Sequence, residues 1–262
     1  MKILQNWRIR KPEEDNESVY ISEKFGVRTL HIGSDTVQSS MRLTRPNDLE
    51  ISYTRSMMAF LLFNPDPRAV LMVGLGGGSL AKFVYHRLPQ ARTVAVEINP
   101  RVIAVARQFF HMPADGERLQ SVVGDGAGYV GNEALRADVI MVDGYDAESQ
   151  VEALSTPAFY RDCARVLGGT GILVVNLWGG DRNYISCVER IADAFDHLVA
   201  CLPAGRPGNV VVLAFKQSPG QPTWTDLRAR AHALESVHGL EFARFVQELA
   251  VMNPYDRDRL LL

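Results

Sequence analysis

A chain of 262 residues of which 47% are hydrophobic can bury a core unaided, and its length suits one large domain or one domain with an appendage. Its 28 Lys and Arg against 30 Asp and Glu give a formal net charge of -2, so no cationic excess is present to neutralise a run of phosphates and a nucleic-acid partner has no support. No apolar run reaches the length of a membrane span.

The N-terminal MKILQNWRIRKPEEDNES breaks into charges before a signal-like region develops, so a cytoplasmic protein without a membrane partner is expected. From Ser18 to Leu43, VYISE, VRTLHI and TVQSSMRL alternate apolar with polar positions and are separated by KFG and GSD, which predicts a small antiparallel meander. Helical spacing follows over Leu49 to Phe63, and NPDP ends it. The expected organisation is a small β domain over residues 1–48 and a larger domain over 49–262.

Beyond Arg68 the chain alternates apolar runs with amphipathic segments: AVLMV, SLAKFVYHRL, TVAVE, PRVIAVARQFF, LQSVV, ADVIMVD, TPAFYRDCARVL and GILVVNL. This pattern predicts a parallel sheet covered on both faces. A helix over Asn183 to Phe195 comes next, and then HLVACL and NVVVLAF, joined by PAGRPG, predict a terminal antiparallel pair. TDLRARAHALESV, stopped by Gly239, and LEFARFVQELAVM predict two further helices, expected against the sheet edge. Cys163, Cys187 and Cys201 form no CxxC pair, and the six histidines lack ligand spacing, so neither disulfides nor a metal site is expected.

The chemistry concentrates at the predicted strand ends. Gly74, Gly76, Gly77 and Gly78 lie between AVLMV and a helix, where bare backbone can turn sharply and admit a ligand to free N–H groups. Glu97 ends the second strand about 20 residues later, the place of a carboxylate that accepts from a ribose diol. Asp125 with Gly126 ends the third strand, fit either to bind an adenine amino group or to cap the following helix. Asp143 leaves the apolar VIMV, where a carboxylate can attract a cation or take a proton, and Asp146 follows it. A nucleoside is the ligand these acids suit; the dinucleotide fingerprint is incomplete, with Gly74, Gly76 and Ser79 in its three places.

Taken in order, VLMVGLGGGSLAKF, AVEINPRVIAVA, VVGDGAGYV, VIMVDGYD and TPAFYRDCARVLGGTGILVVN resemble the spermidine synthase (polyamine aminopropyltransferase) family, with TVQSS and LEISY adding to the likeness. The resemblance implies an α/β, Rossmann-like class I S-adenosyl-methionine-dependent methyltransferase fold behind a small N-terminal antiparallel β domain. It implies decarboxylated S-adenosyl-methionine as cosubstrate, no tightly bound cofactor, a small amine as partner and a homodimer. By position, Glu97 would take the ribose and Asp125 the adenine, with Gln38 and Tyr53 on the aminopropyl or amine side. Asp143 would deprotonate the attacking amine, Asp146 and Tyr145 would meet the diamine, and AESQVEALST would close over the site.

Three departures stand out. Gly77 replaces the aspartate of the usual GGGDG, Tyr53-Thr54-Arg55 replaces Tyr-His-Glu, and Asp143-Gly144-Tyr145-Asp146 replaces an acid-Ser-Ser/Thr-acid segment. Two alternatives therefore stay open: a methyltransferase in which Arg55 meets the carboxylate of intact S-adenosyl-methionine, and a non-catalytic nucleoside binder.

Overall fold

The structure, a computed structural model, describes residues 18–33, 35–144, 151–205 and 208–262. Strands β1 (Val19–Lys24), β2 (Val27–Ile32) and β3 (Val37–Arg42) form the expected meander. The pairing of β2 with β3 slips after Leu30: Leu30 faces Ser39 and His31 faces Val37, which makes Gln38 the extra residue of a β-bulge. Strict alternation ends there, and Ser39, Ser40 and Met41 are buried in succession. The inner face of this sheet packs Leu30 and Met41 against Val102 and Phe110.

The larger sheet contains β4 (Ala69–Val73), β5 (Arg92–Glu97), β6 (Leu119–Val123), β7 (Ala137–Val142), β8 (Leu167–Trp178), β9 (Val199–Pro203) and β10 (Asn209–Phe215), in the order β6-β5-β4-β7-β8-β10-β9. The first five of that order are parallel, while β10 runs antiparallel to both β8 and β9. Chain order reverses at β4, which has β5 on one side and β7 on the other, and a crevice opens beyond the strand ends at such a point.

Side chains alternate across this sheet. Val70 and Met72 join the core under α2 (Ser79–Arg87), α7 (Trp224–His238) and α8 (Phe242–Met252), whereas Leu71 and Val73 join the core under α5 (Pro157–Val166) and α6 (Tyr184–Ala194). Local capping fixes where helices begin: the Asn99 side chain accepts from Arg101 N at 2.9 Å ahead of α3 (Pro100–Phe109), and Thr156 accepts from Phe159 N at 3.1 Å ahead of α5.

The helix expected over Leu49 to Phe63 is corrected to a short α1 (Ser52–Ser56) that tightens into a 3-10 helix over Met57–Leu62. Every residue of that 3-10 segment is buried, between β8 on one side and α7 and α8 on the other, so the packing around the segment, and not an amphipathic face, sets its winding. At the sheet edge, Asn253 follows α8 and closes the backbone of β9: its Oδ1 accepts from Cys201 N at 2.6 Å and its Nδ2 donates to Cys201 O at 2.7 Å. The N–H and C=O of Cys201, in the middle of this edge strand, are thereby closed to another strand. Among the described residues no helix is long and apolar enough to cross a membrane.

Candidate active site

The glycine segment leaves β4 at the point where the sheet order reverses. Gly74, at φ +91°, would place a Cβ 2.3 Å from the carbonyl oxygen of Asp143, so only glycine permits the ends of β4 and β7 to lie this close. Gly76 lies under β3, with Ser39 Cβ and the Gln38 carbonyl 3.7 and 3.9 Å from where its own Cβ would be. Gly78, at φ +72°, precedes α2 and supplies no side-chain cap to the first N–H groups of that helix. Gly126 belongs to the packing of α4 (Gly126–Val130): a Cβ there would fall 2.4 Å from Val73 Cγ1.

Glu97 is buried and ties the segment down. Its Oε2 accepts from Leu75 N and its Oε1 from Asn99 N, each at 3.0 Å. The helix cap at this strand end is Asn99, so Glu97 is not a capping residue. A carboxylate has about four acceptor positions, which leaves Glu97 able to accept two more donors on its crevice side. Asp125 does cap α4, accepting from Ala127 N at 3.3 Å and Gly128 N at 2.8 Å. Beside these acids in the sequence of strand ends stand two exposed apolar side chains, Ile98 after β5 and Val123 at the end of β6, 71% and 57% accessible.

Asp143 carries the tightest polar arrangement. Its Oδ2 accepts from the Tyr53 hydroxyl at 3.0 Å and its Oδ1 from Asn176 Nδ2 at 2.9 Å, while Asn176 Oδ1 accepts from Asn209 Nδ2 at 3.0 Å. Donors from α1 and β8 thus meet the carboxyl group that follows β7, and β10 reaches it at one remove through Asn176. Burial pushes the pKa of Asp143 up from the ordinary aspartate range, and the donors Asn176 and Tyr53 pull it back. The hydrogen bonds from Asn176 and Tyr53 favour the anion of this buried carboxyl group, against the desolvation that favours its protonated form.

The profile of the spermine/spermidine synthase domain matches residues 50–180, half of the chain. A polyamine aminopropyltransferase of Chromobacterium violaceum is 48% identical over 255 residues, 97% of this chain and 98% of the relative. This chain belongs to the spermine/spermidine synthase family. In solved structures, a probable spermidine synthase from Corynebacterium glutamicum shares the fold at TM-score 0.68 with 19% identity, covering 89% of this chain and 94% of its own. Human methyltransferase-like protein 13 in complex with SAH aligns at TM-score 0.64 with 26% identity, over 79% of this chain and 96% of its own.

Two of the departures from the spermidine synthase pattern now have physical causes. A Cβ at Gly77 would lie 2.7 Å from Ser39 Oγ and 2.9 Å from Phe110 Cδ1, so Ser39 and Phe110 occupy the side of position 77 on which a longer side chain would begin. Arg55 is not turned to the crevice as a free cation. Its Nε donates to Glu241 at 2.8 Å and its Nη1 to the carbonyls of Leu49 and Glu50 at 3.1 and 2.9 Å. So committed to Glu241 and to two backbone carbonyls, Arg55 does not support the methyltransferase alternative in which it meets a substrate carboxylate.

Tyr145 and Asp146, with the first part of the segment expected to close over the site, lie outside the described residues. The sequence reading also passed over four residues that the fold brings to the crevice. Asn176 had a visible signal, a lone amide inside the apolar GILVVNL; Asn209, Ile98 and Val123 acquire their place only from strand pairing and strand ends. Trp178, at the end of β8, is half exposed and lines a small cleft with Ser155, Asp181 and Tyr184.

Proposed function

We propose that this protein transfers an aminopropyl group from decarboxylated S-adenosyl-methionine to a small di- or polyamine. The observation that carries the reading is the Asp143 carboxylate, held by Tyr53 and Asn176, on a residue whose backbone carbonyl packs against Gly74 of the glycine segment, in a chain of this family. The donor is a sulfonium, whose positive sulfur makes the adjoining methylene carbon electrophilic. A neutral amine nitrogen attacks that carbon, the new C–N bond forms as the C–S bond breaks, and the electron pair leaves with sulfur as a neutral thioether. The nitrogen then carries one proton too many, and Asp143 accepts it.

The remaining roles follow from position. Glu97, with acceptor capacity to spare, takes the ribose hydroxyls, and Asp125 takes the adenine amino group while it caps α4. Ile98 and Val123 cover the faces of the purine. With no acid at Gly77, the aminopropyl end is left to Gln38, which the bulge turns out of the strand register, and to Tyr53. Tyr145 and Asp146 receive the far end of the diamine. A homodimer acting in the cytoplasm completes the reading; light scattering on the purified protein checks the first part.

Calorimetric titration with S-adenosyl-methionine, its decarboxylated form and methylthioadenosine in parallel tests the donor. Preference for the decarboxylated form, with product formed from a diamine, is expected. Binding of the intact form alone, or no transfer to any common di- or triamine, would overturn the reading.

A further inference from the structure

We propose that Asn209 is a positioning residue that sets which end of the Asn176 amide faces Asp143, and so keeps Asp143 in its proton-accepting form. The proposal rests on the reading of Asp143 as the acceptor of the amine proton. Asn176 is only 3% exposed and stands in β8 between Val175 and Leu177, so its amide must find its partners within the protein. The two ends of that amide have nearly the same shape but opposite hydrogen-bonding sense. An ionised Asp143 offers acceptors alone, so a productive Asn176 must present Nδ2, as it does at 2.9 Å. Were the amide turned round, its carbonyl oxygen would meet the carboxylate, and the protonated acid would be favoured.

Among the described residues, the donor that meets Asn176 Oδ1 is Asn209 Nδ2, at 3.0 Å. Its backbone is fixed at the first position of β10, where it pairs in register with Trp178 of β8 and its carbonyl accepts from Ala204 N at 2.8 Å. Asn209 does not touch Asp143; it acts by removing the freedom of Asn176 to rotate. The titratable group that faces the Asp143 carboxyl among the described residues is Tyr53, also a donor to it, at the other carboxyl oxygen. Two donors from different elements hold the carboxyl, and one of them owes its direction to Asn209.

The test compares pH profiles of kcat/KM for the full-length enzyme and its variants. Asn209→Ala should move the acid limb upward by about one pH unit, which lowers activity about tenfold at a given pH on that limb, with the KM values for both substrates little changed. Asn209→Asp, nearly isosteric, presents an acceptor to Asn176 Oδ1, turns the amide round and should move the limb further. Asn209→Gln should return it toward the wild-type position, and in an Asn176→Ala background Asn209→Ala should add nothing to the shift. Thermal melts of each variant report whether the fold is kept, and if Asn209→Ala does not fold, Asn209→Asp carries the test.

An Asn209→Asp enzyme with the wild-type acid limb would overturn the proposal, as would a loss of kcat that is equal in the Asn176→Ala background. Asp143→Asn separates this failure from failure of the underlying reading. An active Asp143→Asn enzyme removes Asp143 from the chemistry altogether, whereas an inactive one alongside unshifted Asn209 variants removes only the role of Asn209.

Discussion

Substituting Gly77→Asp would supply the acid that the family pattern carries at this position, and it would begin with a Cβ 2.7 Å from Ser39 Oγ, 2.9 Å from Phe110 Cδ1 and 3.1 Å from Ser39 Cβ. Gly77 is not in the left-handed region, so the effect is steric and not a matter of backbone strain. Ser39 must turn away, which breaks its 3.2 Å contact with Ser79 Oγ, worth about 1 kcal/mol. Overpacking against the Phe110 ring, itself fully buried, adds about 1–3 kcal/mol. A combined loss of about 3 kcal/mol lowers Tm by roughly 6–12 °C. Gly77→Ala carries the same Cβ without the charge and should show most of this loss. In a Ser39→Gly background, which removes two of the three close atoms, the cost of Gly77→Ala should shrink by about 1 kcal/mol or more. Thermal melts and a donor titration on these variants read the result. A Gly77→Asp protein that melts within a degree of wild type and binds decarboxylated S-adenosyl-methionine more tightly would refute the reasoning, because it would mean that position 77 opens toward the donor.

Other expectations follow from the same geometry. Asp143 has its pKa raised by burial and restrained by two donors, so activity is lost as pH falls through that raised value; Tyr53→Phe removes one donor and should move the acid limb of kcat/KM to still higher pH, while Asp143→Asn should cost about 10²–10⁴ in kcat with donor binding kept. Arg55→Ala should destabilise the fold by about 1–3 kcal/mol, through the Leu49 and Glu50 carbonyls more than through the half-exposed pair with Glu241, and should leave the ratio of affinities for intact and decarboxylated donor unchanged; a selective loss of the intact form would reinstate Arg55 as a substrate contact. Lys82 is buried in α2, donates to the carbonyls of Pro46 at 2.6 Å and Phe110 at 2.7 Å, and has its pKa lowered by desolvation from 10.5 to about 8. Because the unfolded chain then binds more protons than the folded one between these two values, the stability of wild type relative to Lys82→Met should rise from about pH 8 to pH 10.5, which denaturant melts at a series of pH values would show. Lys82→Met should itself be less stable at neutral pH by about 1–3 kcal/mol, since it orphans those two carbonyls.

The secondary structure was legible where local periodicity and local burial agree. AVLMV and LQSVV are strands over the residues expected, and Gly239, at φ +70°, ends α7 as a glycine C-cap does. Agreement failed at Leu49 to Phe63, where a segment enclosed on every side winds as 3-10 and helical spacing no longer reports an exposed face. It failed again at Gln38, because a bulge is a property of two paired strands and has no signature in one of them.

For the site, the sequence by itself determined which groups end the strands: Glu97, Asp125 and Asp143 follow apolar runs, and in a parallel sheet every such end faces the same crevice. Only the tertiary structure decided what those groups touch. Asp143 receives donors from Tyr53, 90 residues before it, and from Asn176, 33 residues after it; Arg55 is neutralised by Glu241, 186 residues away; and Gly77 is closed off by Ser39 of another sheet. Hydrogen bonds and steric exclusion act over a few ångströms, and it is the sheet order and the antiparallel return of β10 that bring such distant residues within that range.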